Sequence, residues 1–176
     1  FEVSKKADSC GVFPNFALWT PNLECLHISY PTLYCITPIL RPSRLPRSLL
    51  ELKGTFSSID DSPDVQWPPH LSKLSIFFTS HAQVRQQHPQ WIRQLPKESI
   101  TSLSISPHVQ VPKDFDWQQE LPHLRHMFAY ASGLEFEQIQ MLPRVLQTAE
   151  FAGAPFAWRS SALDVLRHAF PPNLTQ

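Results

Sequence analysis

The chain has 176 residues, enough to bury a core, and this length is expected of a single domain. Apolar residues make up 42% and charged residues 17%, which argues against a disordered chain, and no apolar run approaches the roughly 18 residues of a membrane span. The 15 Lys and Arg balance the 15 Asp and Glu, and a formal net charge of zero argues against general binding to nucleic acid or to an anionic membrane.

Residues 1–19 carry no repeating pattern and read as an amino-terminal cap or the tail of a preceding unit. The opening FEVSKKADSC is polar, so no signal peptide is expected, and a start at Phe rather than Met is expected of a fragment. Cys10, Cys25 and Cys35 are odd in number and sparse, which suits reduced thiols in a cytoplasmic or nuclear protein rather than a disulfide framework.

From Thr20 onward one pattern recurs. Its first copy is Leu23-x-x-Leu26-x-Ile28. Leu49-x-x-Leu52-x-Gly54, Leu71-x-x-Leu74-x-Ile76, Ile100-x-x-Leu103-x-Ile105, Leu124-x-x-Met127-x-Ala129 and Leu146-x-x-Ala149-x-Phe151 follow. A seventh copy opens at Leu174 in FPPNLTQ. The copies start about 22–29 residues apart, the spacing of a repeated supersecondary unit. Alternation around the central residue predicts a short strand in each.

Most copies are introduced by an apolar residue followed by proline. The pairs are Leu45-Pro46, Trp67-Pro68, Leu95-Pro96, Leu121-Pro122, Leu142-Pro143 and Phe170-Pro171. Helical spacing precedes several of them. Residues 89–96 begin with Pro89, and 114–122 offer Asp114 as an N-cap. Residues 133–143 place Leu134, Ile139 and Leu142 near one face, and 160–172 open on Ser160 and space Leu163, Leu166 and Phe170 helically. Proline cannot continue a helix and pre-sets an extended backbone, so it turns the chain from each outer segment into the next strand. The stretch 54–66, GTFSSIDDSPDVQ, lacks a helical period and is expected to be an irregular loop.

The tandem pattern and its spacing resemble leucine-rich repeats. The resemblance implies an α/β fold: a leucine-rich-repeat solenoid with a concave parallel sheet and convex short helices or irregular loops. Residues 20–176 would supply about six units and a truncated seventh. Strands centred on Leu26, Leu52, Leu74, Leu103 and Met127 should then pair in chain order. The family's Asn or Cys after the last apolar residue falls here on Pro31, Ser57, Thr79, His108, Ser132 and Ala154, of which the hydroxyls substitute only in part. The wording LP-x-SL at 45–49 and WPP-x-L at 67–71, varied at the later strand entries, is also similar to the degenerate repeats of F-box-type leucine-rich proteins. That resemblance implies a protein-protein interaction module, the substrate-recognition part of a ubiquitin ligase subunit. It also implies a cullin-ligase adaptor as partner through an F-box outside this sequence.

Reactive chemistry is weakly represented. The four glycines, Gly11, Gly54, Gly133 and Gly153, lie too far apart for a phosphate loop or nucleophile elbow. No catalytic residue, cofactor or metal site is expected. His123 and His126 at a strand entry point to different faces, and Cys25 with His27 shares a face but finds no third ligand. Asp60, Asp61 and Asp64 lack the spacing and turn glycine of a calcium loop, and Arg41, Arg44 and Arg47 read as a solvated edge. Asn173, Leu174 and Thr175 match a glycosylation acceptor but read as a turn before a strand. The alternative, an accessory or catalytic domain of an enzyme, needs a deep pocket with converging acid and base groups, and no motif supports it.

With the apolar positions facing the core, the residues flanking each central position form the other face. They are Cys25 and His27, Glu51 and Lys53, Lys73 and Ser75, Ser102 and Ser104, His126 and Phe128, Thr148 and Glu150. The middle is small and polar, while Phe128, His126 and Tyr130 gather aromatic area near the carboxy-terminal end. Aromatic side chains are the usual anchors of interfaces. The expected protein-binding patch is therefore His126, Phe128, Tyr130, Thr148 and Glu150, centred on Phe128.

Overall fold

The computed structural model describes residues 2–3, 15–28, 39–60, 62–78, 90–106, 109, 111–130, 138–139 and 141–152. In chain order the elements are β1 (Glu2–Val3), α1 (Phe16–Trp19), β2 (Cys25–Ile28), β3 (Ile39–Leu40), a 3₁₀-helix (Pro42–Arg44), β4 (Glu51–Phe56) and β5 (Ser58–Ile59). Then come β6 (Lys73–Phe78), a second 3₁₀-helix (Gln90–Gln94), β7 (Ser102–Ile105), α2 (Trp117–Glu120), β8 (His126–Tyr130) and β9 (Thr148–Ala152). The fold is α/β. One sheet takes β1, β2, β4, β6, β7, β8 and β9 in that order, every pair parallel. The expected strands at Leu26, Leu52, Leu74, Leu103 and Met127 are all in it. No helix among the described residues is long and apolar enough to cross a membrane.

Alternation makes these segments strands, and burial sets their register. Leu26, Leu52, Leu74, Leu103, Met127 and Ala149 stand opposite one another across the sheet. Ile28, Gly54, Ile76, Ile105, Ala129 and Phe151 make a second inward row. Leu26, Leu52, Leu74 and Leu103 are at most 1% exposed, each worth about 1.5–3 kcal/mol of burial. A slip of one residue would turn both rows to solvent.

The strand entries repeat one hydrogen-bonding scheme. The N–H of the first apolar residue donates to a carbonyl three residues back in Leu23→Thr20, Leu49→Pro46, Leu71→Pro68, Leu124→Leu121 and Leu146→Pro143, at 3.0–3.1 Å. Ile100 reaches Pro96 instead, at 3.2 Å. Proline thus opens or occupies the turn, where its lack of an N–H costs nothing. Just beyond, one carbonyl of the preceding strand accepts two consecutive N–H groups. Glu24 takes Leu50 and Glu51, Leu50 takes Ser72 and Lys73, Ser72 takes Thr101 and Ser102, Thr101 takes Arg125 and His126, and Arg125 takes Gln147 and Thr148, all at 2.7–3.0 Å.

Serine adds a further link where the sequence provides it. Ser48 Oγ lies 2.8 and 2.9 Å from the carbonyls of Pro21 and Leu23. Ser99 Oγ lies 2.9 and 3.0 Å from those of Pro69 and Leu71. The serine preceding the first apolar residue therefore ties its turn to the preceding turn.

The outer segments pack inward as the proline signature suggests, since Leu45, Trp67, Leu95, Leu121 and Leu142 are all buried; Phe170 lies outside the described residues. Their local structure differs from expectation in several places. The segment around 89–96 is a 3₁₀-helix over Gln90–Gln94, which buries Trp91 and Ile92; Pro89 lies outside the described residues. The next helix is capped by Asp116, not Asp114: Asp116 Oδ1 accepts from the N–H groups of Gln118 and Gln119 at 2.9 and 3.2 Å. The start is displaced because Phe115 is fully buried edge-on to Trp117, with ring centroids 4.8 Å apart, while Asp114 pairs with Arg93 at 2.7 Å. Within 133–143 only 138–139 are helical among the described residues, with Ile139 and Leu142 buried as expected. Leu134 and the helix expected over 160–172 lie outside them. Residues 54–66 are not wholly irregular: β4 runs to Phe56, and Ser58–Ile59 pairs in parallel with Ile39–Leu40, burying Leu40 and Ile59.

Leu74 is 1% exposed at the centre of the inward row, so Leu74→Ala should destabilise by about 2–5 kcal/mol in denaturant unfolding. Gly54 tests a different feature of the same layer. A Cβ there would meet the Phe56 ring at 2.8 Å and the Ile28 carbonyl at 3.1 Å, so the ring fills the space that isoleucine fills in the neighbouring strands. Gly54→Val should cost about 1–3 kcal/mol, and distinctly less in a Phe56→Ala background, where the ring no longer competes for the space.

Candidate functional site

The face opposite the inward rows is built by the same register. One outward row reads Cys25, Glu51, Lys73, Ser102, His126, Thr148 from strand to strand. The other reads His27, Lys53, Ser75, Ser104, Phe128, Glu150. Exposure follows alternation: Cys25, His27, Lys53, Lys73, His126, Thr148 and Glu150 are exposed, while Glu51, Ser75, Ser102, Ser104 and Phe128 are half-buried. The side chains that could meet a partner thus lie on a floor set by the strand backbones.

Charge is distributed unevenly across this face. At the β2–β4–β6 end, His27 Nε2 donates to Glu51 Oε1 at 2.9 Å, and Lys73 Nζ lies 3.5 Å from Glu51 Oε2. The His27 hydrogen bond, aided by the Lys73 charge and opposed by partial burial, holds the Glu51 carboxyl below its usual value of 4.5. Lys53, one residue beyond Leu52, has no ion pair or hydrogen bond among the described residues. At the other end, His126 Nδ1 shares a hydrogen bond with Thr148 Oγ1 at 2.9 Å. Glu150 stands beside Phe128, also without an ion pair among the described residues.

Of the expected patch, the structure brings His126, Phe128, Thr148 and Glu150 together on adjacent strands. Tyr130 is at the end of β8, and its side chain lies outside the described residues. Phe77 was missing from that expectation. It is half-buried, pairs across to Thr55, and by alternation shares a face with Lys73 and Ser75, whereas Phe78 packs against the core. The signal was present in KLSIFF, where the alternation continues past the six-residue motif.

Other singled-out residues are not drawn together. His123 pairs with Glu98 at 3.2 Å, away from His126. Cys25 is an exposed free thiol, and among the described residues no group of His, Cys, Asp and Glu is arranged to hold a metal ion. Cys10, Cys35 and Asp61 lie outside the described residues, as do Gly11, Gly133, Gly153 and residues 173–175. Asp60 accepts from Ser62 Oγ at 2.9 Å within its own loop. Of the positions that correspond to the family's Asn, only Ser57 is described, between β4 and β5. A cleft of about 200 Å³ beside Trp67 is lined in part by Arg47, Asp64 and Gln66, and there Arg47 donates to Gln66 at 2.9 Å.

Comparison with protein-family models, curated proteins and solved structures finds no match to this chain.

The Glu51 arrangement has a checkable pH signature. A carboxyl with a lowered folded-state pKa contributes stability above its unfolded value, and that contribution is lost as pH falls through the folded value. Carboxyl chemical shifts followed by NMR should place the Glu51 midpoint below 4.5. His27→Ala, which removes the largest cause, should move that midpoint upward.

Proposed function

We propose that this chain is a leucine-rich-repeat solenoid of cytoplasmic or nuclear location and that the open face of its sheet binds a protein partner. His126, Phe128, Tyr130, Thr148 and Glu150 form the contact patch, with Phe128 as anchor. The observation that carries the reading is the separation of roles across the strands. The inward rows supply the apolar burial, while the outward rows vary from strand to strand and hold aromatic, charged and small polar groups. A varied side-chain array on a regular backbone is the arrangement that repeat proteins use for recognition. The recurrence of one turn and one shared carbonyl at successive strand entries supports the repeat reading.

The finer assignment is the substrate-recognition part of an F-box-type ubiquitin ligase subunit. It rests on the proline-serine wording of the strand entries, LPRSL at 45–49 and the longer LPKESI at 95–100, in which Ser48 and Ser99 link consecutive turns. Co-purification of the full-length protein with a cullin-ligase adaptor tests it.

Affinity capture with mass spectrometry, run in parallel on the wild type and Phe128→Ala, tests the binding face. The variant should hold its main partner at least tenfold more weakly while its unfolding transition stays cooperative. Unchanged capture would remove Phe128 from the site.

A further inference from the structure

The outward row His27, Lys53, Ser75, Ser104, Phe128, Glu150 runs straight across six strands. Its chemistry is graded. Glu51, in the neighbouring row, is already engaged by His27 and Lys73, so among the described residues the charge left uncompensated near that end belongs to Lys53. Ser75 and Ser104 are short and leave the floor low. Phe77 stands two residues beyond Ser75 on the same face and borders that floor along the strand direction. Phe128 closes the low stretch at its far end, and Glu150 sits on the next strand. The line therefore passes from a cation, over two serines, to an aromatic ring and then an anion.

We propose that the open face takes one extended segment of a partner protein, lying across the strands in a defined polarity, with a basic residue at Glu150, an apolar side chain on Phe128 and an acidic residue at Lys53. This rests on the reading of the face as a binding surface and adds the chemistry of the partner. Neighbouring strands are about 4.8 Å apart, so Phe128 and Lys53 are separated by about 14 Å. An extended peptide advances about 3.3 Å per residue, so about four residues separate its apolar anchor from its acidic side chain. The basic side chain is two residues from the anchor, on the same face of the extended peptide, and reaches Glu150 one strand further on. Small serines between the two ends let the peptide backbone lie close to the sheet. The reversed order would set like charges against both Lys53 and Glu150, so the two charges choose direction as well as partner.

A random dodecapeptide library displayed on phage and selected on the whole chain tests this. Selected peptides should share a basic residue two positions from an apolar one, with an acidic residue about four positions away on the other side. A synthetic peptide of that consensus, followed by fluorescence anisotropy, should bind Lys53→Glu and Glu150→Lys at least tenfold more weakly than wild type. Replacing the peptide's acidic residue by lysine should restore binding to Lys53→Glu. Both positions are exposed, and circular dichroism checks that the variants fold. Peptides that require Phe128 but show no charge order, or that ignore both reversals, overturn the polarity and leave the binding face standing. No enrichment, or peptides insensitive to Phe128→Ala, overturn both. Self-association that Lys53→Glu abolishes, seen by sedimentation, would assign the face to a second copy and overturn the peptide.

Discussion

One carbonyl at each strand entry positions the next strand. Parallel strands cannot be joined by a tight hairpin, so nothing local forces their register. Here the carbonyls of Glu24, Leu50, Ser72, Thr101 and Arg125 each accept two N–H groups from the following strand's entry. Each bond contributes about 0.5–1.5 kcal/mol net, but its geometric consequence is larger. It places Leu52 opposite Leu26, Leu74 opposite Leu52, and so on to Ala149 opposite Met127. The proline turn immediately before the entry delivers the N–H groups in the right direction. The inward leucines then make any other register costly, because a one-residue shift would expose them all.

The outer segments tie neighbouring turns together by other means. Arg93 lies 2.7 Å from Asp114 and 3.5 Å from Glu120, and Lys97 reaches Glu120 at 2.6 Å. The Arg93 guanidinium also sits 5.7 Å from the centroid of the Phe115 ring. Gln138 is almost completely buried and donates to the carbonyls of Pro112 and Val111 at 2.6 and 3.4 Å, so a polar side chain satisfies backbone that has no strand partner. These contacts join segments separated by more than twenty residues, as the strand ladder does on the other side. Exposed ion pairs contribute little individually, and the apolar side chains buried beneath them stabilise the outer segments more.

Much of this was legible in the sequence because the governing physics is periodic. The strands follow from alternation, and the burial of Leu45, Trp67, Leu95, Leu121 and Leu142 before their prolines follows from proline's inability to continue a helix. What escaped was decided by particular neighbours. The helix start at Asp116 rather than Asp114 depends on Phe115 being needed in the core, which no local spacing announces. The β3–β5 pair joins two-residue segments too short to carry a period. Gly54 reads as a defect in the apolar pattern, yet the ring of Phe56, two residues on, occupies the space it leaves. The membership of the outward rows was readable, whereas the engagement of Glu51 by His27 and Lys73 depends on side-chain reach across strands. Phe77 was missed because the motif stops one residue before it.

The division between the two faces bears on how such a surface can change. Lys53 and Glu150 project from strands whose places are set by backbone bonds and by Leu52 and Ala149 behind them. Their replacement leaves the register-setting groups untouched, and sites without shared partners act nearly independently. Glu51 and Phe128 are different, because both are half-buried and Glu51 is held by two neighbours. The exposed charges of this face can therefore be changed at little structural cost. The half-buried aromatic ring of Phe128 contributes to packing as well as to the surface, and the small side chains of Ser75 and Ser104 leave the floor between Lys53 and Phe128 low.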